Sequence, residues 1–108
     1  MRVVHYITKD GIDHFDRWMR RQPPQLRARV QTRIDRIRLG NLGDYKSLGA
    51  GVYELRLNFG AGYRIYYGRD GLDIVVVLVA GTKNQQSRDI SLAKACWSAY
   101  IQERSDAD

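Results

Sequence analysis

Between Gly51 and Gly68 the chain alternates apolar and polar residues with a period of two, broken once by Gly60-Ala61-Gly62. A period of two belongs to a strand, and a glycine-flanked break of this length between two such runs is a hairpin turn. Tyr53, Leu55, Leu57 and Phe59 then share one face, and Glu54, Arg56 and Asn58 share the other. After a second turn at Arg69-Asp70-Gly71, Leu72 to Ala80 is an almost unbroken aliphatic run, which suits a strand inside a sheet and not at its edge. Three neighbouring strands with an apolar face must be covered, so the rest of the chain has to supply helices.

It does so in a recognisable order. Val3 to Thr8 reads as an opening strand. Ile12, Phe15 and Met19, widened by Trp18, keep the spacing of a helix with one buried face. Pro23 and Pro24 end that helix and open the next, since proline is tolerated in a first helical turn. Leu26, Val30, Ile34 and Ile37 form the second helix's apolar stripe, with Gly40 as its C-terminal cap. Asn41 to Gly51 reads as a glycine-rich connection. From Gln85 or Ser87 onward the helical period returns through Ile90, Ala93, Trp97 and Ile101, and Ser105 to Asp108 reads as a frayed tail. The order β-α-α-β-β-β-α predicts one α+β domain over residues 1–108, a small antiparallel-rich sheet with its helices packed on one face.

A net charge of +6 and a pI near 9.8 favour an anionic partner, although solubility alone would also account for them. The charge is uneven. Residues 1–46 hold eleven lysines or arginines against five aspartates, and the remainder balances seven against seven. Arg27, Arg29, Arg33, Arg36 and Arg38 fall between the apolar positions of the second helix. They fit a solvated face with local pairs such as Asp35 with Arg38 or Arg36, and equally a surface for RNA phosphates or an acidic antagonist. Cys96 is alone, so no intramolecular disulfide forms. His5, His14 and Cys96 lack zinc-site spacing, and neither a metal nor a cofactor is implied. The N-terminus lacks the pattern of a signal peptide, and Ile74 to Ala80 is too short to span a bilayer, so no membrane association and a cytoplasmic protein are expected.

Arg56 and Arg64 come from adjacent strands of the hairpin, and Lys83 lies just beyond the next strand. Together they can hold a phosphate and stabilise the charge that builds when an oxygen attacks it. In RNA that oxygen can be the ribose 2′-hydroxyl, so neither a metal nor a protein nucleophile is required. A cross-strand charge ladder with Glu54 on a solvated face fits the same residues. Tyr66 shares the face of Arg64, where it can stack on a base or serve as a partly buried structural residue. Gln85 and Gln86 are placed to bond nucleic acid, and Ser87 to cap the last helix.

The stretches Gly51-Val-Tyr-Glu-Leu-Arg-Leu57, Gly62-Tyr-Arg-Ile-Tyr-Tyr67 and Gly81-Thr-Lys-Asn-Gln-Gln-Ser-Arg-Asp-Ile90 resemble the RelE/ParE toxin superfamily, most closely its phage-derived HigB-like branch of addiction module killer proteins. The resemblance implies the toxin of a type II toxin-antitoxin pair, a ribosome-dependent endoribonuclease that cleaves mRNA without metal. It implies catalytic roles for Arg56, Arg64 and Lys83, with Asp44 the nearest match to the general base. Glu54 stands where RelE-like enzymes have a lysine, and could itself accept a proton. The tyrosine or histidine such enzymes carry near the start of the last helix is replaced by Asn84-Gln-Gln-Ser-Arg-Asp-Ile90, which leaves the proton donor unassigned. Lys46, Tyr66, Gln85 and Arg88 are the expected RNA contacts. The implied partners are the ribosome with its mRNA and a cognate antitoxin carrying a helix-turn-helix domain, through which the pair would bind operator DNA. A ParE-like gyrase inhibitor and a catalytically decayed basic binding module share the fold and remain open alternatives.

Overall fold

The structure is a computed structural model and describes residues 1–107. It has the expected α+β class: β1 (Arg2–His5), α1 (His14–Arg20), α2 (Pro24–Arg38), β2 (Tyr45–Gly49), β3 (Val52–Leu57), β4 (Tyr63–Asp70), β5 (Ile74–Thr82), a 3-10 turn (Lys83–Gln85) and α3 (Gln86–Ala107). The strands form one sheet in the order β1-β5-β4-β3-β2, with β1 parallel to β5 and every other pair antiparallel.

Local chemistry sets the helix limits. Asp13 caps α1 by accepting the Asp16 N–H at 2.9 Å, and Asp16 then pairs with Arg20 one turn on. Pro24 opens α2. Gly40, at φ +88°, follows its end and donates to the Ile37 carbonyl.

The connection from Asn41 to Gly51 contains a strand that its composition concealed. β2 pairs with β3 through a Gly49-Ala50-Gly51 turn whose three residues all have positive φ. It is an edge strand with mostly exposed side chains, so it carries no apolar alternation by which to be read. At the other end, Ser105 to Ala107 continue α3, while Asp108 lies outside the described residues.

The largest correction concerns the layers. The helices do not share one face. Phe15 and Trp18 of α1 and Leu26, Val30, Ile34 and Ile37 of α2 pack on Leu55, Leu57, Ile65, Tyr67, Val75 and Val77. Ala93, Cys96 and Trp97 of α3 pack on the opposite face, over Val52, Tyr66, Val76, Leu78 and Val79. Each fully buried aliphatic side chain contributes about 1.5–3 kcal/mol, so both layers are needed to hold the sheet. Ala93 and Trp97 of the expected α3 stripe are buried, but the stripe is turned towards Asp89 and Cys96, which are also buried, while Ile101 is 48% exposed.

Three glycines permit the close approach of α3. A Cβ on Gly51 or Gly68 would collide with the Trp97 ring, and one on Gly81 with Asp89 Oδ2. The face of the sheet that carries Glu54, Arg56 and Arg64 is therefore only partly open, because α3 covers the rest. On β5, Tyr66 pairs with Val79 and Tyr67 with Val77, which leaves Leu78 unpaired in a bulge. Beyond that bulge Gly81 lies opposite Arg64, and Lys83 donates its N–H to the Gly62 carbonyl at 2.9 Å, tying the end of β5 to the β3–β4 hairpin.

Candidate functional site

Antiparallel register places Arg56 directly opposite Arg64, Glu54 opposite Tyr66, and Lys46 opposite Glu54 on the outer side. All of these positions share the face that α3 partly covers. Glu54 is completely buried, and charge and hydrogen bonding converge on its carboxylate. Arg56 Nε donates to Oε2 at 3.1 Å, and Gln86 Nε2 donates to Oε1 at 2.6 Å. Arg64 Nε lies 3.2 Å from Oε1 but lacks hydrogen-bond alignment, so that attraction is mainly Coulombic. Lys46 Nζ stands 3.9 Å from Oε2. The carboxylate is thus an interior counterion that fixes two arginines by their Nε ends. The Arg56 side chain is 35% exposed and that of Arg64 11%.

Three cations around one carboxylate leave the cluster positive. The geometry also removes one expectation: with both oxygens of Glu54 engaged and shielded from solvent, this residue is poorly placed to take a proton from a ligand. Asp44 is exposed and sits just outside β2. Its carbonyl accepts the Arg56 N–H at 2.9 Å, and its carboxylate accepts from Asn58 Nδ2 at 3.4 Å. Lys83 is exposed and in no ion pair among the described residues.

Tyr66 does not have the surface expected of a base-stacking residue. It is fully buried beneath α3, and its ring offers no face to a base. Burial, reinforced by Glu54 and Asp89, pushes its phenol well above the usual tyrosine value, and Arg64 opposes that shift. Gln85 is exposed and accepts from Arg88 Nη2 at 2.8 Å, so those two residues sit together at the base of α3. Ser87 lies inside the first turn of α3 and not at its cap.

The neighbour that reaches the cluster is Gln86. Asp89 was not foreseen at all: it is 4% exposed, its Oδ2 has no hydrogen-bond partner, and burial raises its carboxyl above the ordinary carboxylate range while Arg88 pulls it down. An acidic residue in a first helical turn looks like an exposed dipole partner, and only the sheet-facing phase of α3 distinguishes the two.

A family model described as "Phage derived protein Gp49-like (DUF891)" matches residues 17–96, well over half of the chain. The chain belongs to the Gp49-like family. This phage-derived family is associated with addiction-module toxins. An uncharacterized protein of Haemophilus influenzae is 38% identical to this Gp49-like chain over 81 residues, covering 74% of the chain and 82% of the relative. The segment that matches the Gp49-like model contains Asp44, Lys46, Glu54, Arg56, Arg64, Lys83, Gln86 and Asp89, and so takes in the whole cluster. None of the described helices is long and apolar enough to cross a membrane.

Proposed function

We propose that this protein is the toxin of a type II toxin-antitoxin pair and a metal-independent endoribonuclease acting on mRNA at the ribosome. The observation that carries the reading is the pairing of Arg56 with Arg64 across β3 and β4, both anchored on the buried Glu54 carboxylate at 3.1 and 3.2 Å. Two guanidiniums fixed from behind in this way are pre-positioned for one phosphate, and no reorganisation is needed when charge develops on it.

In this reading the ribose 2′-oxygen bonds to phosphorus as the bond to the 5′-oxygen breaks, giving a 2′,3′-cyclic phosphate and a 5′-hydroxyl. Arg56 and Arg64 stabilise the added charge on the non-bridging oxygens. Asp44, tied to Arg56 through its backbone carbonyl and exposing a carboxylate beside Asn58, accepts the 2′-hydroxyl proton. Lys83, held beside the hairpin by its bond to Gly62, serves the leaving 5′-oxygen as proton donor. Lys46, Gln85 and Arg88 contact the flanking strand. The partners are the ribosome and a cognate antitoxin with a helix-turn-helix domain, which carries the pair to operator DNA. The site is cytoplasmic and requires no cofactor.

Primer extension on transcripts from cells expressing the protein tests the reading. New codon-phased 5′ ends are expected with the wild type and none with Arg64→Ala, whose fold is checked by near-ultraviolet circular dichroism. Growth arrest that persists in Arg64→Ala together with gyrase-dependent DNA breaks would make the protein a gyrase inhibitor instead.

A further inference from the structure

A groove of about 430 Å³ runs between α2 and the hairpin end of β3, lined by Arg29, Thr32, Arg33, Arg36, Asp44, Arg56 and Asn58, with Leu57 and Phe59 at its floor. The last backbone bond on that side of β3 is the Arg56 N–H to the Asp44 carbonyl, so beyond Arg56 the edge of β3 is open and the groove can pass around it. We infer that this groove is a second anion seat that holds the sugar-phosphate backbone of the RNA strand flanking the cleaved phosphate. The inference rests on the nuclease reading for the identity of the strand.

Arg29, Arg33 and Arg36 lie four and three residues apart and therefore on one side of α2. None of the three has an acidic partner among the described residues. Asp35, the carboxylate that could have neutralised Arg36, pairs with Arg38 at 2.8 Å and also accepts from Gln31. Two of the guanidiniums are held in place. Arg29 stacks over the Phe59 ring with its central carbon 4.1 Å from the centroid. Arg33 lies against Gly43, where a Cβ would collide with its guanidinium, and its buried Nε has no acceptor.

The lining selects a polyanion over an amphipathic acidic helix. Such a helix needs apolar seats, whereas Leu57 is 2% exposed and the face of Phe59 is already occupied by Arg29. What the groove does offer is guanidinium donors, the Thr32 hydroxyl and the Asn58 amide, opposed by the single carboxylate of Asp44. Its volume falls within the roughly 300–1,000 Å³ of clefts that take small-molecule ligands. Arg56 belongs both to this groove and to the Glu54 cluster, so a strand lying in the groove brings one of its own phosphates to Arg64.

The test uses the free full-length chain and non-cleavable 2′-O-methyl oligonucleotides of two and eight nucleotides, with binding followed by fluorescence anisotropy from low to moderate salt. Arg36→Gln, at an exposed position, should weaken the eight-nucleotide strand several-fold, flatten its salt dependence by about 0.7 in log-log slope, and leave the dinucleotide unchanged. Arg33→Lys, which keeps the charge and loses the planar fork of donors, should weaken the longer strand without changing its salt slope, and Arg27→Gln, on α2 but not lining the groove, should change nothing. Arg64→Ala should weaken both lengths. If Arg36→Gln and Arg33→Lys bind the longer strand as the wild type does while Arg64→Ala does not, the groove inference fails and the nuclease reading stands. If instead Arg64→Ala is without effect on binding or cleavage while Arg36→Gln still lowers the salt slope, the reading fails and the groove remains an anion seat. Displacement of the longer strand by an oligoglutamate of equal charge, at equal or lower concentration, would assign the groove to an acidic protein and overturn the inference.

Discussion

Replacing Glu54 with glutamine would remove one charge from the centre of the cluster while preserving shape and the hydrogen bond from Gln86. At 3.1 and 3.2 Å, and with an effective dielectric of about 20, each of the Arg56 and Arg64 pairs carries roughly 5 kcal/mol of gross attraction. Lys46, at 3.9 Å and half exposed, adds about 1 kcal/mol at most. Desolvation of the carboxylate offsets much of this, and removing one partner of a buried pair typically costs about 3–5 kcal/mol. Because Arg56 is 35% exposed and regains some hydration, the lower end applies, and Glu54→Gln should destabilise by about 3 kcal/mol. For a domain of this size that corresponds to a fall of roughly 10–15 °C in Tm. Urea melts followed by tryptophan emission would measure it, Trp18 and Trp97 reporting the two opposite layers. An added anion should then substitute for the lost carboxylate. Phosphate should restore more stability to the variant than to the wild type, beyond chloride at matched ionic strength; the general salting effect of phosphate is common to both proteins and cancels in the difference. A loss under about 0.5 kcal/mol, or equal rescue by the two salts, would mean that the arginines are solvated independently and that Glu54 does not organise them.

Other expectations follow from the α3 side. Gly68→Ala should cost about 1–3 kcal/mol in the same melts, because the added methyl meets a buried indole that is itself stacked on Tyr100 and has nowhere to move. Asp89→Asn should stabilise at neutral pH by about 1 kcal/mol, since it removes a buried, partly unsatisfied carboxylate. Its sign follows from the raised carboxyl: the folded state gains from the protonated form below the unfolded value of 3.8 and loses that gain as pH rises through the higher folded value, so the difference between variant and wild type should vanish towards pH 3.8 and below. Tm measured across pH would check it. Cys96 is 5% exposed with its thiol pushed up by burial, so iodoacetamide should label it in urea and barely label it in the native state.

The parts of this architecture that could be read in advance are those where side chains repeat with one buried face. The stripe of Leu26, Val30, Ile34 and Ile37 gave α2, and counting outward from Gly60-Ala61-Gly62 brought Arg56 and Arg64 together, as the register has them. β2 was missed because all but one of its side chains are exposed, which erases the alternation that marks a strand. The second helical layer was missed because Glu54, Arg64 and Tyr66 make one face of the hairpin look polar and open. Glu54 is in fact neutralised from within, and Tyr66 is covered by a helix whose buried side is built from Ala93, Cys96 and Trp97. Ala93 and Trp97 lay on the expected stripe, but the small Cys96 carries little apolar signal and Ile101, which is exposed, stood in its place. The same misreading gave Tyr66 a surface it does not have.

The bulge at Leu78 has an implication for how this strand tolerates change in length. Tyr66 and Tyr67 are adjacent on β4, yet their partners Val79 and Val77 are two apart, so β5 carries one residue more than the ladder can use. A relative lacking that residue would still close the ladder on either side, with Gly81 opposite Arg64 and Lys83 beside Gly62. What it would forfeit is the local twist and the packing of one leucine. A missing residue between Leu57 and Tyr63, by contrast, would shift β3 against β4 and part Arg56 from Arg64. Gaps in relatives should therefore be common at Leu78 and scarce in the hairpin if the pair of arginines is what selection preserves.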